Sequence, residues 1–153
     1  MAIEVTHPYP KDLDTVFKMF RSKLYWEEKT AKTGGSNVEF LKFEESGKKF
    51  EATIKRDMPS NAPGFAKKIL GDKMTMVQTD TWDLEAKTGT FSLDIKGTPI
   101  TMSGTMKLSE TADGCQNHVK MAAKVKIPLI GGKLAKWVEG NSHEGMEEDY
   151  KFG

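Results

Sequence analysis

The sequence predicts an α+β fold in which a curved antiparallel sheet of about seven strands wraps around one long C-terminal helix. Short runs of alternating apolar and polar residues recur between residues 37 and 127, as in strands that bury one face. Turn residues separate these runs, which is typical of antiparallel neighbours. Helical spacing returns after residue 131, so the last helix is the long element that can cover the apolar face of the sheet.

The first part of the chain predicts one strand and two short helices. Ile3, Val5 and His7 alternate with polar residues, and two prolines then end the pattern. Apolar residues at helical spacing over 13–20 predict a helix behind this strand. A second short helix is expected to end at Gly34-Gly35, because glycine accepts the positive φ that helix ends often require.

The period then changes to two, which predicts six further strands. In the first of them, Phe40 is expected to lie on the face opposite to Leu41 and Phe43. Residues 46–48 form a predicted turn, so the first two of these strands make a hairpin. A short and partly helical connection is expected over 61–71, with a glycine as its end.

Each of the later strands carries one apolar and one polar face. The predicted inward residues, strand by strand, are Phe50, Ala52 and Ile54; Met74, Met76, Trp82 and Leu84; Phe91, Leu93 and Ile95; Ile100, Met102, Met106 and Leu108; and Val119, Met121, Ala123, Val125 and Ile127. Turns are expected at Thr88-Gly89, 97–99 and Asp113-Gly114. Helical spacing over 134–138 predicts a final helix that runs towards Phe152.

Length and composition indicate one folded domain over residues 1–153. The 23 Lys and Arg residues nearly balance the 22 Asp and Glu residues, so the net charge is only +1. Such a charge provides no strong field for phosphate backbones or anionic lipids, and we expect no nucleic-acid partner and no stable membrane insertion. A single cysteine and the lack of a leader pattern or membrane-length apolar run favour the cytoplasm. The oligomeric state is left open.

Signals for catalysis and for metal binding are weak. His7, His118 and His143 lie on three different elements, and no pair of residues has the spacing of metal ligands. We interpret each histidine as a solvated or edge-strand side chain and Cys115 as inert. The lysines of 120–126 are interpreted as a solvated strand face. The sequence therefore predicts no metal site, no cofactor and no catalytic motif.

Methionine is the unusual residue of this sequence. Five of the nine methionines lie on predicted inward faces of strands: Met74, Met76, Met102, Met106 and Met121. Methionine is flexible and polarizable, so it fits either an irregular filled core or an exchangeable apolar content. A strongly bent sheet closed by one helix leaves space between them, and ligand sites are typically concave and mostly apolar. This combination favours an apolar cavity.

A few polar residues interrupt the predicted inward faces. Arg56 continues the inward alternation of its strand, and Gln78 and Asp80 lie among apolar inward residues. Because isolated buried charges are costly, Arg56 and Asp80 are expected to pair, to anchor the polar end of a ligand, or to return to water at a bulge. On the last helix the apolar stripe continues through Asn141, Gly145 and Glu148. Either the missing side chain of Gly145 leaves room for a ligand, or this part of the helix runs beyond the sheet.

Several motifs carry a family resemblance over nearly the full length. They are P-x-D-L-x-x-V-F at 10–17, Met58-Pro59 before the segment 65–71, Trp82, the turn at 97–99 and, most specifically, the stretch 125–134, in which a strand passes through Pro and paired Gly into the last helix. With these motifs the chain resembles an uncharacterised bacterial family of the START-like superfamily, also called Bet v 1-like or SRPBCC. Birch-pollen-allergen-like proteins and polyketide cyclases share its helix-grip fold.

The resemblance implies binding of lipids, sterols or other apolar molecules between sheet and helix. Some members are cyclases or hydrolases, but none of their catalytic motifs can be transferred to this chain. We therefore expect a carrier or sensor of a hydrophobic small molecule that is lipid-like, sterol-like or polyketide-like. The predicted ligand-binding residues are Phe50, Ile54, Arg56, Met74, Met76, Asp80, Trp82, Phe91, Met102, Met106, Met121, Trp137, Val138 and Asn141.

Two other functions remain open at this point. A cyclase-like or isomerase-like enzyme would use Arg56, Asp80 or Glu148 as acid, base or oxyanion support in the same cavity. A protein-interaction module would instead have a filled core and an exposed apolar patch. The volume of the interior distinguishes the third possibility from the first two.

Overall fold

The computed structural model describes residues 2–60, 62–126 and 131–152, which form seven strands and four helices. In chain order these are β1 (Ala2–Tyr9), α1 (Leu13–Phe20), α2 (Lys23–Lys32), β2 (Ser36–Ser46), β3 (Lys49–Pro59), α3 (Gly64–Leu70), β4 (Lys73–Asp83), β5 (Thr88–Ile95), β6 (Ile100–Thr111), β7 (Gly114–Val125) and α4 (Gly131–Phe152). This order confirms the predicted α+β class. Ile127, a predicted inward residue, and the middle of the motif at 125–134 lie outside the described residues.

The seven strands form one antiparallel sheet in the order β1-β7-β6-β5-β4-β3-β2. The strands β1 and β2 therefore occupy opposite edges, and the pair α1–α2 connects them across the sheet. Helix α1 packs against β6 and β7, while α4 packs against β7, β1 and α2. The helices thus lie on the inner face of the sheet, and the outer face carries mostly polar side chains.

Local side-chain caps explain where the first two helices begin. Asp12 accepts hydrogen bonds from the backbone N and the hydroxyl of Thr15, at 3.2 and 2.6 Å, which satisfies free donors of the first turn of α1. Ser22 caps α2 in the same way through the backbone N of Tyr25. Gly34 follows α2 with a φ of +88°, as expected for a helix end.

The turn predicted at Thr88-Gly89 is wrong, because the turn lies directly before these residues. The chain reverses over 84–87, where the Asp83 carboxylate accepts hydrogen bonds from two backbone N–H groups of the turn and Lys87 takes a φ of +59°. Gly89 instead lies inside β5, opposite Trp82. A Cβ at this position would come within 2.9 Å of the indole ring, so the glycine is required by close packing and not by a turn.

The faces predicted for β2 are also corrected. The register shifts between Phe40, which pairs with Ile54, and Lys42, which pairs with Thr53. This bulge makes Leu41 the extra residue, so Phe40 and Phe43 share the inner face and their rings meet edge to face at 5.2 Å. Leu41 is left exposed on the outer face.

The interior contains two apolar clusters. The first packs α1 and α2 against the sheet and includes Tyr9, Leu13, Val16, Phe17, Trp26, Phe50, Ala52, Ile54, Trp82, Leu108 and Cys115. The second packs α3 and α4 against the sheet and includes Ala66, Leu70, Met74, Leu93, Ile95, Ile100, Met102, Met121, Leu134 and Val138. These clusters bury the alternate residues that the strand pattern predicts.

Candidate functional site

A cavity of about 240 Å³ lies between the inner face of the sheet and the helices α2 and α4. Its wall includes seven methionines from β3, β4, β6, β7 and α4: Met58, Met74, Met76, Met102, Met106, Met121 and Met146. The volume corresponds to that of about eight molecules of liquid water. The interior therefore has room for a small guest molecule.

The structure brings most of the predicted site residues together around this cavity. Those that contribute to its wall are Arg56, Met74, Met76, Asp80, Trp82, Phe91, Met102, Met106, Met121 and Asn141. Phe50, Ile54, Trp137 and Val138 lie in the apolar clusters instead. For Phe50 the reason is the bulge in β2, which brings the Phe43 ring to 5.1 Å from its own ring. Glu148 has no described side chain.

Three polar residues of the wall form a cluster on β3 and β4 that we call the β3–β4 polar cluster: Arg56, Gln78 and Asp80. Nη2 of Arg56 donates a hydrogen bond of 2.9 Å to Oε1 of Gln78, and Nε2 of Gln78 donates one of 2.8 Å to Oδ1 of Asp80. The strand alternation continues unbroken through these positions in the paired register. All three side chains consequently face inward, and the alternative of a bulge that returns them to water does not hold.

Burial determines the protonation behaviour of Asp80. Its side chain is almost fully buried, and desolvation raises the pKa of the carboxyl above its usual value. The hydrogen bond from Gln78 and the positive charges of Lys29 and Arg56 act in the opposite direction but do not outweigh desolvation. The carboxyl group can thus act as a proton donor over a wider pH range than an exposed aspartate.

Helix α2 adds an aromatic and a cationic side chain to this end of the cavity. Nζ of Lys29 lies 3.8 Å from the centre of the Trp26 ring, and Cζ of Arg56 lies 5.5 Å from a Trp26 ring centre. Both distances allow cation–π attraction. Sequence reasoning missed Trp26 and Lys29 as wall residues, since the apolar spacing of α2 is weak and only Trp26 and Thr30 are buried on it.

A second polar cluster lies on the same inner face, near the β1 edge of the sheet. We call it the β1–β7 polar cluster; it consists of His7 and Asn117, which are paired neighbours on β1 and β7. Both are buried and both contribute to the cavity wall. Nε2 of His7 is hydrogen-bonded to Oε1 of Glu147 on α4 at 2.9 Å. Of the two interpretations of His7, the edge-strand one holds, since β1 is an edge strand, and the solvated one does not, since the side chain is buried. Its position in phase with Ile3 and Val5 indicated the inner face.

Asn117 was missed for a different reason. The inward alternation was predicted only from Val119 onwards, and extending it by two residues places Asn117 on the same face. Within the described residues, Oδ1 of Asn117 has no hydrogen-bond donor. A buried acceptor without a donor is uncommon in folded proteins and is a feature to be explained.

The other residues considered from the sequence lie away from the cavity. Cys115 is fully buried in the first apolar cluster, where burial raises the pKa of its thiol and keeps it protonated. His118 lies on the outer face and bonds to Thr6 and Glu4. Over 2–60, 62–126 and 131–152, no three His, Cys, Asp or Glu side chains are grouped so that they could hold a metal ion.

A family model covers nearly all of this chain. The family described as protein of unknown function DUF2505 matches residues 4–153. The chain belongs to this family. No curated protein sequence matches this DUF2505 chain. In the described part of the chain, none of the helices has both the length and the apolar character needed to cross a membrane.

Three solved structures are similar to this DUF2505 chain over almost their full lengths. TTHA0849 from Thermus thermophilus has a TM-score of 0.71 and 15% identity, covering 99% of this chain and 92% of that one. Ara h 8.0201 has a TM-score of 0.65 and 14% identity, with 99% and 96% covered. CV1439 from Chromobacterium violaceum has a TM-score of 0.61 and 12% identity, with 98% and 92% covered. These likenesses confirm the START-like, Bet v 1-like fold.

Proposed function

We propose that this DUF2505 protein binds a hydrophobic small molecule between the sheet and α4, as a carrier or sensor. The ligand would be lipid-like, sterol-like or polyketide-like. The observation that carries the proposal is the 240 Å³ cavity with its methionine-rich wall, whose surface is mostly apolar and which also contains polar side chains. Methionine suits such a wall because its flexible side chain adapts to ligands of different shape.

The character of the wall supports this function. The site is partly open, and its wall is mostly apolar. Water in the site therefore has few hydrogen-bond partners away from the polar side chains. An apolar guest that displaces this water would be favoured by the burial of its own apolar surface.

The β3–β4 polar cluster is suited to orient the polar end of such a ligand. Arg56 and Gln78 provide guanidinium and amide donors, and Asp80 provides a carboxyl group with a raised pKa. A carboxylate or hydroxyl on the ligand would find complementary donors there. The predicted anchor Asn141 would approach the ligand from α4.

The raised pKa of Asp80 also favours a second candidate function. A cyclase-like or isomerase-like enzyme needs an acid or base in an apolar site, and Asp80 is such a group. Under this hypothesis Asp80→Asn would abolish turnover of a substrate and leave its binding intact. Under the binding hypothesis the same variant would change affinity alone.

The third possibility, an interaction module with a filled core, has less support. The interior is not filled, and the exposed large apolar residues of the described chain are Leu24 and Leu41. Leu24 lies on α2, on the inner side of the sheet, whereas Leu41 lies on its outer face. They form no common patch that a partner protein could cover.

The test compares two tryptophan variants at neighbouring positions of β7. Val119 lines the cavity, and Lys120 is exposed on the outer face. Native mass spectrometry after gentle purification should show a lipid-sized mass on the wild type and on Lys120→Trp, and none on Val119→Trp. Dodecanoic acid should raise the Tm of the wild type and of Lys120→Trp and leave the Tm of Val119→Trp unchanged.

Repeated recovery of bare wild type that dodecanoic acid does not stabilise would overturn the proposal. Equal stabilisation of all three proteins would also overturn it, because the acid would then bind elsewhere. Circular dichroism checks that Val119→Trp folds. If it does not fold, Met121→Phe adds less volume to the same wall and serves the same purpose.

A further inference from the structure

We infer that the ligand presents a carboxylate to the β3–β4 polar cluster, and that this carboxylate and Asp80 share one proton, which is taken up from the solvent on binding. The inference rests on the proposed function, because it requires a ligand in the cavity. It deepens that function in two ways. It assigns the ligand to the class of apolar carboxylic acids, and it makes the affinity for this ligand depend on pH.

The first argument is the position of the Asp80 carboxyl group. The residue is 7% exposed and lines the cavity. Its Oδ1 accepts the hydrogen bond of Gln78. Its Oδ2 has no donor among the described residues, yet this oxygen keeps accessible surface, unlike the fully inaccessible Oδ1 of Asn117. A guest in the cavity can therefore reach Oδ2 of Asp80.

The second argument is the way in which Gln78 orients this carboxyl group. Oε1 of Gln78 accepts a hydrogen bond of 2.9 Å from Arg56, and its Nε2 donates one of 2.8 Å to Oδ1 of Asp80. Because the guanidinium holds the amide oxygen, the NH₂ group stays directed at Asp80. Oδ1 is then occupied as an acceptor, so the proton of a neutral Asp80 lies on Oδ2, where the guest is.

The third argument is the charge that surrounds Asp80. Among the described residues, the charges that act on this carboxyl group are positive and belong to Lys29 of α2 and Arg56 of β3. The paired neighbours on β3 and β5, Ala52 and Phe91, do not titrate. The described wall residues of α4 are uncharged: Asn141, Ser142 and Met146. The other titratable residues of the described wall are His7, Tyr9 and Tyr25. These surroundings favour an anionic ligand end over a cationic one.

A carboxylate that contacts Oδ2 of Asp80 requires a proton between the two groups. Two carboxylates in contact do not both stay ionised, and the pair holds one proton. Burial already raises the pKa of Asp80, and the arriving negative charge raises it further. The shared proton then forms a charge-assisted hydrogen bond. A ligand hydroxyl needs no such proton, since it can accept from the neutral form of Asp80 and donate to the ionised form.

The experiment measures the affinity for dodecanoic acid between pH 6 and pH 9, using the fluorescence of Trp26 and Trp82 in the cavity wall. Because a carboxyl group in water has a pKa of about 4, the free acid is ionised over this range. The affinity of the wild type should fall as the pH rises, by about 10-fold per pH unit where a whole proton is taken up and by about 10-fold or more in total. 1-Dodecanol, which has no carboxylate, should bind with similar affinity throughout.

Asp80→Asn is the matched variant. Its amide keeps an oxygen acceptor for Gln78 and places an NH₂ group at the position of Oδ2, so it donates to a carboxylate at every pH. The pH dependence should therefore disappear, and at pH 9 the variant should bind dodecanoic acid more tightly than the wild type does. Asp94→Asn, on the exposed face of β5, is the control and should keep the pH dependence of the wild type.

The outcomes separate the inference from the proposed function. A wild-type affinity for dodecanoic acid that is constant from pH 6 to pH 9, or a fall that persists in Asp80→Asn, would overturn the inference and leave the proposed function intact. An equal fall for 1-dodecanol would also overturn it, because the proton would then not be shared with a carboxylate. Failure of the wild type to bind either compound at any of these pH values would count against the proposed function itself.

A calorimetric measurement on the wild type decides the question if Asp80→Asn does not fold. Proton uptake makes the heat of binding depend on the ionisation enthalpy of the buffer. The heat of binding of dodecanoic acid should therefore differ between phosphate and Tris at the same pH, and the heat of binding of 1-dodecanol should not. Equal heats for dodecanoic acid in the two buffers at every pH from 6 to 9 would overturn the inference.

Discussion

Gln78 and Asp80 are joined by a hydrogen bond of 2.8 Å from Nε2 to Oδ1, along one inner face of β4. Because Arg56 bonds to the other end of the same amide, Gln78 lies between the guanidinium and the carboxyl group. The sequence left open a direct pair between Arg56 and Asp80, and the structure links them through this amide instead. The carboxyl group is thus held in place mainly by a neutral donor, and desolvation is the dominant effect on its pKa.

Replacement of Asp80 by Asn should stabilise the protein at neutral pH. Asparagine keeps the shape and an oxygen acceptor for Gln78 but removes a buried negative charge. We expect a Tm higher by a few degrees at pH 7, since 1 kcal/mol shifts the Tm of a chain of this length by about 2–4 °C. Thermal unfolding followed by circular dichroism measures the difference. Asp94→Asn, on the exposed face of β5, is the control that should change little.

The stability that Asp80→Asn gains over the wild type should increase as the pH rises. The folded state raises the pKa of Asp80 above its usual value of 3.8, so the folded protein holds this proton more tightly than the unfolded chain does. The wild type therefore loses stability relative to the variant as the pH rises above about 4. Below that pH the two proteins should have similar stability. A variant that is less stable than the wild type at pH 7 would show that the charge of Asp80 is favourable.

The opposite dependence is expected at Asp57, on the outer face. Its carboxylate accepts hydrogen bonds of 2.7 Å from Asn37 and from Thr75, and Lys73 lies 3.3 Å away. These contacts lower its pKa from 3.8 to about 2. The charged form therefore contributes stability that is complete above pH 3.8 and is lost as the pH falls to about 2.

Asp57→Asn should accordingly lower the unfolding free energy at pH 7, and the deficit should shrink between about pH 4 and pH 2. Urea unfolding at several pH values measures this, with Asp94→Asn as an exposed control. The carboxylate joins β2, β3 and β4 at the strand ends where Met58 and Pro59 border the cavity. A deficit that stays constant down to about pH 2 would mean that the loss arises from packing and not from charge.

Two glycine-to-alanine variants should have effects of opposite sign. A Cβ at Gly104 would lie 2.7 Å from the Phe91 ring and closer still to the backbone oxygen of Lys120, so Gly104→Ala should cost about 1–3 kcal/mol. Gly140 lies on α4 with open space where a Cβ would be placed, so Gly140→Ala should gain about 0.5–1 kcal/mol from helix propensity. Urea unfolding gives both values. If both variants changed the unfolding free energy by the same amount, the close contact between residue 104 and the Phe91 ring would be contradicted.

The strand pattern predicted much of the cavity wall because period-two alternation persists wherever strands pair without a bulge. Met74 to Trp82 and Met102 to Met106 are such segments, and their inward residues contribute to the wall. The pattern failed at β2, where one extra residue moved Leu41 to the outer face. It also failed at Gly89, since a glycine in a sequence does not reveal whether a turn or an adjacent ring requires it.

Helix α2 shows a second limit of sequence reasoning. Its apolar residues have no clear helical periodicity, so the sequence did not indicate which face meets the sheet. Tertiary packing selects the face with Trp26 and Thr30, and this brings Lys29 to the cavity as well. Long-range contacts of this kind, including the bond between His7 and Glu147, join residues far apart in the chain and have no local signal.

A final prediction concerns Glu139, a buried carboxylate that the sequence did not single out. It is 2% exposed on α4, and its Oε2 accepts a hydrogen bond of 2.9 Å from the backbone N of Ala123 on β7. This hydrogen bond satisfies a backbone donor of β7 and ties α4 to the sheet.

Glu139→Ala should therefore cost about 1–3 kcal/mol, because it leaves a buried backbone donor unpaired. Glu139→Gln keeps an oxygen acceptor of the same reach and should cost less than half as much. Urea unfolding measures both, and amide hydrogen exchange at Ala123 should quicken in the alanine variant alone. If the two variants lose equal stability, the charge of Glu139 matters and not the hydrogen bond to Ala123. Because α4 forms one wall of the cavity, the alanine variant should also bind dodecanoic acid more weakly than the glutamine variant does.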